Sequence, residues 1–292
     1  MEKRCLPVTI VTPKKYLLNG LWFGGDRPRS AIVFVHGLSP SSSVFSHQNF
    51  LVPLASEDTA VIFFNNRGHD KVTRIRKKSG QGETAGGAHE VFTECADDLE
   101  GVVRLLRRKK VKEIYLVGHS TGSQKIAYYL SRNNNQRRIA GAALLVPISD
   151  YASNKKFAEP RKFRRAHAYA AKLVAQKRPH ELLPASVWPD LVDAQRFLSL
   201  NTPNSKEEIF SYAQPRKIPR TLRKIKIPLL VVFAGNDEYA DRPAREMAEW
   251  FGKNIKSKRS KIIIVPRARH GFREKEERVA SLVKKFIATA GR

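Results

Sequence analysis

Short, continuously apolar runs alternate along the chain with stretches in which apolar residues recur every three or four positions. The runs fall at residues 31–36 (AIVFVH), 60–64 (AVIFF), 113–117 (EIYLV), 140–146 (AGAALLV), 229–233 (LLVVF) and 261–265 (KIIIV). Runs of this length, rich in β-branched residues, predict strands buried on both faces. Helical periodicity is clearest over residues 94–108 and 123–132. Strands and helices in alternation require right-handed crossovers, so the expected class is α/β, with a mostly parallel, doubly wound sheet. Two earlier segments, 7–12 and 15–23, pattern instead as an antiparallel pair. Residues 80–88, crowded with small side chains around Gly82, Gly86 and Gly87, predict a loop.

Residues 151–226 break this rhythm. The segment is long, helical in its first half, and interrupted by Pro160, Pro179, Pro184, Pro189, Pro203, Pro215 and Pro219. It reads as an insertion between two strands, so the expected organisation is a core of residues 1–150 and 227–292 around an inserted 151–226. With 17 basic and 6 acidic residues, the insertion carries much of the chain's positive excess.

Composition narrows the class further. The chain has 292 residues, 41% hydrophobic and 28% charged, which suits a globular protein and excludes a disordered or collagen-like one. Its apolar runs fall well short of the roughly 18 residues needed to span a bilayer. The first residues also lack the apolar stretch of a secretory signal, so a cytoplasmic location is expected. Cys5 and Cys95 form neither a disulfide framework nor a paired metal motif. The net charge of +27 attracts polyanions in general.

Candidate chemistry centres on Gly118-His-Ser-Thr-Gly122, which follows one predicted strand and precedes one predicted helix. A nucleophile elbow needs glycines at its flanks because its backbone approaches neighbouring elements closely. It would also set Ser120 at a helix N-terminus, where developing negative charge is favoured. A base and an orienting acid must then follow at the ends of later strands. Asp237 ends the turn after the 229–233 run, and His270 lies in the loop after the 261–265 run, giving the order Ser, Asp, His. Glu238 and Asp241, on the same loop as Asp237, are the alternative acids. An oxyanion needs two backbone donors. The amide of Thr121 is one, and that of Leu38, in His36-Gly37-Leu38 after the 31–36 strand, is the other. His119 is expected to pack or hydrogen-bond within the elbow. His47, His69, His89, His167 and His180 have no partner identifiable from sequence.

These motifs resemble the α/β-hydrolase superfamily over essentially the whole chain. His36-Gly37 resembles its oxyanion loop, Asn66-Arg67-Gly68-His69 its Arg-Gly turn, and Gly118 to Gly122 its elbow. More narrowly, residues 118–129 (GHSTGSQKIAYY), 194–200 (AQRFLSL) and 235–239 (GNDEY) are similar to an uncharacterised-domain branch that includes fungal siderophore esterases. The resemblance implies an α/β-hydrolase fold and a serine hydrolase of carboxylic esters that uses neither metal nor organic cofactor. It further implies that 151–226 is a cap over the active site.

Phe157, Phe163, Tyr169, Leu182, Leu183, Trp188, Leu191 and Phe197 are candidate pocket walls within that cap. Its Lys155, Lys156, Arg161, Lys162, Arg164 and Arg165 are candidates for recognising an anionic ester. The same triad serves thioesterases, acyltransferases and small-peptide hydrolases. A rival from another class is a basic anion- or nucleic-acid-binding protein built on a hydrolase scaffold, motivated by basic stretches at 104–112, 216–226 and 253–261. Those stretches lack the interleaved aromatics that stack bases, which argues against nucleic acid. Oligomeric state is not legible.

Overall fold

The computed structural model describes residues 4–38, 49–132 and 135–291. Ten strands form one sheet: β1 (Cys5–Val11), β2 (Tyr16–Phe23), β3 (Ser30–Val35), β4 (Thr59–Phe64), β5 (Thr73–Lys77), β6 (Gly82–Ala85), β7 (Glu113–His119), β8 (Gly141–Leu145), β9 (Leu229–Ala234) and β10 (Lys261–Val265). The strands β10, β9, β8, β7, β3 and β4 lie side by side and parallel in that order. β4 then pairs antiparallel with β2, whose other partners are β1 and β5. All six predicted buried runs are parallel strands, and the predicted early pair is antiparallel.

The helices are α1 (Cys95–Arg108), α2 (Thr121–Leu130), α3 (Asp150–Phe157), α4 (Pro160–Ala175), α5 (Ala194–Asn201), α6 (Arg220–Arg223), α7 (Ala244–Asn254) and α8 (Glu276–Ala290). They cover both faces of the sheet, which is why its central strands are apolar throughout rather than alternating. Along β3, Ala31, Val33 and Val35 join a core with Leu99 and Val103 of α1, Ile126 of α2 and Met247 and Phe251 of α7. Ile32 and Phe34 point the other way, into a core with Val279, Val283 and Phe286 of α8. The pleat sends successive side chains to opposite faces.

Residues 80–88 are not a simple loop. Thr73 to Arg76 pair antiparallel with Gly82 to Ala85, so the glycine-rich stretch supplies both a hairpin turn at Gly80 (φ 90°) and an edge strand. Small residues tolerate an exposed edge position as well as a turn, and composition alone does not separate the two.

Between β8 and β9 the chain leaves the sheet. Ala166, Ala170 and Leu173 of α4 pack with Leu183, Val187, Trp188 and Phe197 in a separate small core. Further along, Ile209, Phe210, Tyr212, Leu222 and Ile225 return to the large core of the sheet. No described helix is long and apolar enough to cross a membrane.

Candidate active site

The order of strands reverses between β3 and β7: β4 lies on one side of β3, and the chain returns to continue on the other. In open α/β sheets ligands bind beyond the carboxyl ends of the strands at such a switch point. Gly37, just after β3, and Ser120, just after β7, meet there. A Cβ on Gly37 would stand 2.9 Å from that of Ser120 and 3.3 Å from the Thr121 nitrogen, so only glycine allows this approach.

Ser120 joins β7 to α2 with φ 55° and ψ −126°, a costly conformation for a residue with a side chain and one that persists only when its surroundings enforce it. The Ser120 N–H donates to Leu145 O at 2.9 Å, and the Ser123 N–H donates to Ser120 O at 2.8 Å. The Ser123 hydroxyl reaches the carbonyls of Gly118 and Leu145 at 3.0 and 3.1 Å. A Cβ on Gly122 would lie 2.0 Å from Val35 O, which accounts for the second glycine of the elbow. The helix starts at Thr121, two residues before the sequence suggested, because the turn is tight enough to close on one residue. As the first residue of α2, Thr121 has an N–H with no carbonyl to meet inside the helix.

Asp237 and His270 come from the loops after β9 and β10, which are tied by Gly235 N–H to Val265 O at 2.9 Å and Asn236 N–H to Ala268 O at 2.8 Å. His270 Nδ1 lies 2.9 Å from both oxygens of the Asp237 carboxylate. The acid is 2% exposed and the imidazole 11%. With Nδ1–H donating to the acid, Nε2 is left as the ring's acceptor. Tyr239 N–H donates to Asp237 Oδ1 at 3.0 Å, and the Tyr239 ring meets the imidazole edge-on with centroids 4.9 Å apart. The alternative acids are used elsewhere. Glu238 accepts the His270 backbone N–H at 2.9 Å, and Asp241 pairs with Arg242 at 2.8 Å. His119 Nε2–H donates to the His270 carbonyl at 2.9 Å, so the residue beside Ser120 steadies the loop that carries His270.

Ser120 and His270 line one cleft of about 740 Å³, together with Gly37, Leu38 and His119. From residues 151–226 the lining takes Ser153, Asn154 and Asp190, all polar. None of the eight aromatic and aliphatic candidates from that segment reaches it. Leu183, Trp188 and Phe197 are consumed in the small core with Phe163 and Tyr169 beside them, and Phe157, Leu182 and Leu191 are exposed. A four-element insertion has to bury apolar surface within itself first, and that requirement absorbs them. Its six candidate cations do not line the cleft either. The cations that do are Lys71, Arg269 and Arg273, with Arg269 3.5 Å from Glu238.

A charge network beneath the cleft escaped the sequence reading. Lys125 Nζ lies 2.6 Å from Glu90 Oε1 and 3.2 Å from Asn66 Oδ1, fully buried in the middle of α2. Arg196, also fully buried, bridges Glu90 at 2.8 Å and Glu207 at 2.5 Å. Burial pushes the Glu90 carboxyl up, but Lys125 and Arg196 beside it overturn that and hold it below the usual carboxylate range. Asp150 is pushed up to about 8, by burial first and then by Glu207 beside it. The available signal was a lysine amid the apolar positions of a short helix, and nothing in the sequence named its partners.

His36 was likewise read only as part of a motif. It is fully buried, with Nδ1–H donating to Gly37 O at 3.0 Å and Nε2 accepting the Asn66 N–H at 3.2 Å. Burial, reinforced by Lys125, holds it down to about 3, so it is a neutral brace for the Gly37-Leu38 turn. Arg67 is clamped by Asp98 at 2.7 Å and by Asp97 and Glu94 at 3.1 Å. Of the unassigned histidines, His69 pairs with Asp70, His167 meets Thr202, and both His89 and His180 meet Asp193. His47 lies outside the described residues.

Solved structures of similar shape include the α/β hydrolase GrgF from Penicillium, with a TM-score of 0.67 over 97% of this chain and 98% of its own at 14% identity. Siderophore hydrolase EstB from Aspergillus fumigatus superposes with a TM-score of 0.65 over 98% of each chain, at 19% identity. An esterase from Pyrococcus furiosus superposes with a TM-score of 0.61 over 98% of this chain and 91% of its own, at 20% identity. The α/β-hydrolase fold is therefore established. In sequence, a bifunctional esterase/perhydrolase from Acinetobacter calcoaceticus is 33% identical over 107 residues, 36% of each chain, so the match spans about a third of that curated relative. A family profile described as a protein of unknown function (DUF1749) matches residues 88–289. Because that match covers more than half of the chain, and takes in Ser120, Asp237 and His270, the chain belongs to the DUF1749 family.

Proposed function

We propose that the protein is a serine hydrolase of carboxylic esters. The observation that carries this reading is the Asp237–His270 pair, both carboxylate oxygens at 2.9 Å from Nδ1, opening on the same cleft as a serine held in the elbow conformation. Esterases among the proteins of similar fold and sequence support it.

In this mechanism Ser120 Oγ attacks the ester carbonyl while His270 Nε2 takes its proton. Asp237 fixes the imidazole tautomer and stabilises the imidazolium. The tetrahedral oxyanion is assigned to the amides of Thr121 and Leu38, since such a charge needs two backbone donors. His270 then protonates the leaving alkoxide, the acyl group remains on Ser120, and water, deprotonated by the same imidazole, releases the acid. The chemistry asks for no cofactor.

Residues 151–226 act as the cap, contributing polar atoms rather than an apolar trough. Leu38, Ile148 and Tyr239 are the large apolar residues among the described lining, and Lys71, Arg269 and Arg273 line it beside Asp190 and Glu238. The substrate is accordingly a small polar ester, with a negatively charged group favoured.

The test is hydrolysis of a p-nitrophenyl ester series from acetate to palmitate by wild type and Ser120→Ala. Turnover should be highest on short chains and fall by on the order of 10⁶ in the variant. Turnover retained by Ser120→Ala would overturn the mechanism, and a preference for palmitate would overturn the polar-cleft reading.

A further inference from the structure

We propose that His89, His180 and Asp193 bind one divalent transition-metal ion of the zinc class at the seam between the inserted segment and the sheet domain. Nδ1 of His89 and Nδ1 of His180 each lie 3.0 Å from the same atom, Asp193 Oδ2, and the three atoms are within 4.8 Å of one another. Two imidazoles and a carboxylate make a donor set suited to zinc. A tetrahedral ion with bonds of about 2.0 to 2.1 Å needs its ligand atoms about 3.3 Å apart. The two nitrogen–oxygen separations of 3.0 Å differ from that spacing by only about 0.3 Å, and the two imidazole nitrogens lie within 4.8 Å of each other.

The ligands are held in place before any ion arrives. Asp193 caps α5, its Oδ1 accepting the Arg196 N–H at 2.7 Å, which leaves Oδ2 to face the imidazoles. An occupied second oxygen is what orients a metal-binding carboxylate. A β-bridge between Leu182 and Asp193, with Ala194 N–H to Glu181 O at 3.0 Å, fixes the His180 turn against it. Asp193 N–H donates to Ala88 O at 2.9 Å, which brings His89 of the sheet domain alongside.

The Asp193 carboxylate is fully buried, and a buried charge calls for a counter-charge. His180 is 60% exposed, so an ion has a way in. Both imidazoles border a cavity of about 450 Å³, where solvent supplies the remaining coordination position. This cavity shares no lining residue with the Ser120 cleft. The ion's role is therefore to tie the segment to the sheet, and the inference does not depend on ester hydrolysis.

The full chain is stripped with a chelator, then titrated with zinc chloride by calorimetry, with metal content counted by mass spectrometry. Wild type should bind one zinc per chain and melt at a higher temperature with zinc than without. Cobalt(II) should give the visible absorption of a tetrahedral nitrogen and oxygen site, and calcium should not bind. His180→Ala removes an exposed side chain and should fold as wild type by circular dichroism while binding zinc at least ~100-fold more weakly. His89→Ala should behave the same way. Zinc affinity unchanged in both variants, or no zinc bound at micromolar concentration by the wild type, would overturn the proposal.

Discussion

Lys125 and Glu90 offer a quantitative test of how the interior is organised. The buried network contains two cations, Lys125 and Arg196, and two carboxylates, Glu90 and Glu207, with the Asp150 carboxyl raised beside them. It is balanced, and removing one member unbalances it. Lys125→Met takes from the buried Glu90 carboxylate its 2.6 Å partner and leaves it Arg196 at 2.8 Å, so the network carries one negative charge too many. Breaking a buried pair this way costs about 3 to 5 kcal/mol, because the remaining charge keeps its desolvation penalty. Glu90→Gln leaves an excess cation instead and should cost a similar amount.

The double variant Lys125→Met/Glu90→Gln leaves only Arg196 and Glu207, which still pair at 2.5 Å. Its cost should therefore fall below the sum of the single variants by about 2 to 3 kcal/mol, the upper range for residues in one network. The assay is urea unfolding of all four proteins, with midpoints compared at unchanged slope. Each single variant should also lower Tm by on the order of 10 °C. Single variants costing less than about 1 kcal/mol, or a double variant equal to the sum, would refute the reasoning.

Two further outcomes follow from the site and its surroundings. Asp237→Asn should leave the circular dichroism spectrum unchanged and lower kcat by about 10⁴, since an amide cannot hold the imidazole tautomer that leaves Nε2 basic; a loss under tenfold in the ester assay would remove Asp237 from the mechanism. The carboxyl of Asp150 is raised to about 8 by burial and by Glu207, so its contribution is complete below about pH 4 and is lost as pH rises toward 8. His36, lowered to about 3, acts in the opposite sense, contributing above about pH 6.5 and losing that contribution on acidification. Melting temperatures measured between pH 6 and 9 should therefore decline more steeply for wild type than for Asp150→Asn, and equal slopes would contradict the assignment.

Much of the fold was legible because its determinants are local. A strand buried on both faces must be apolar at every position, and a helix covering it must repeat near 3.6, so β3, β4, β7, β8, β9, β10, α1 and α2 announced themselves. The elbow was legible for a related reason: glycine at 118 and 122 is demanded by contacts with backbone, which no other residue can make. The order Ser120, Asp237, His270 followed from strand ends, since parallel strands put all their carboxyl ends on one side of the sheet.

What remained hidden depends on which segments meet in space. Whether the aromatic residues of 151–226 face the cleft or each other was set by the need of an inserted segment to bury a core of its own. Lys125 and Arg196 have their partners Glu90 and Glu207 far off along the chain or on another turn, so no local pattern names the pairs that enclose them. His89 and His180, 91 positions apart, meet on one carboxylate because the Leu182–Asp193 bridge sets His180 beside Asp193 within the insertion and the Asp193 N–H to Ala88 O bond brings His89 alongside. Periodicity and turn chemistry are properties of neighbouring residues, and the sequence determined those; the pairing of distant charges and donors is a property of the closed chain, and only the tertiary structure decided it.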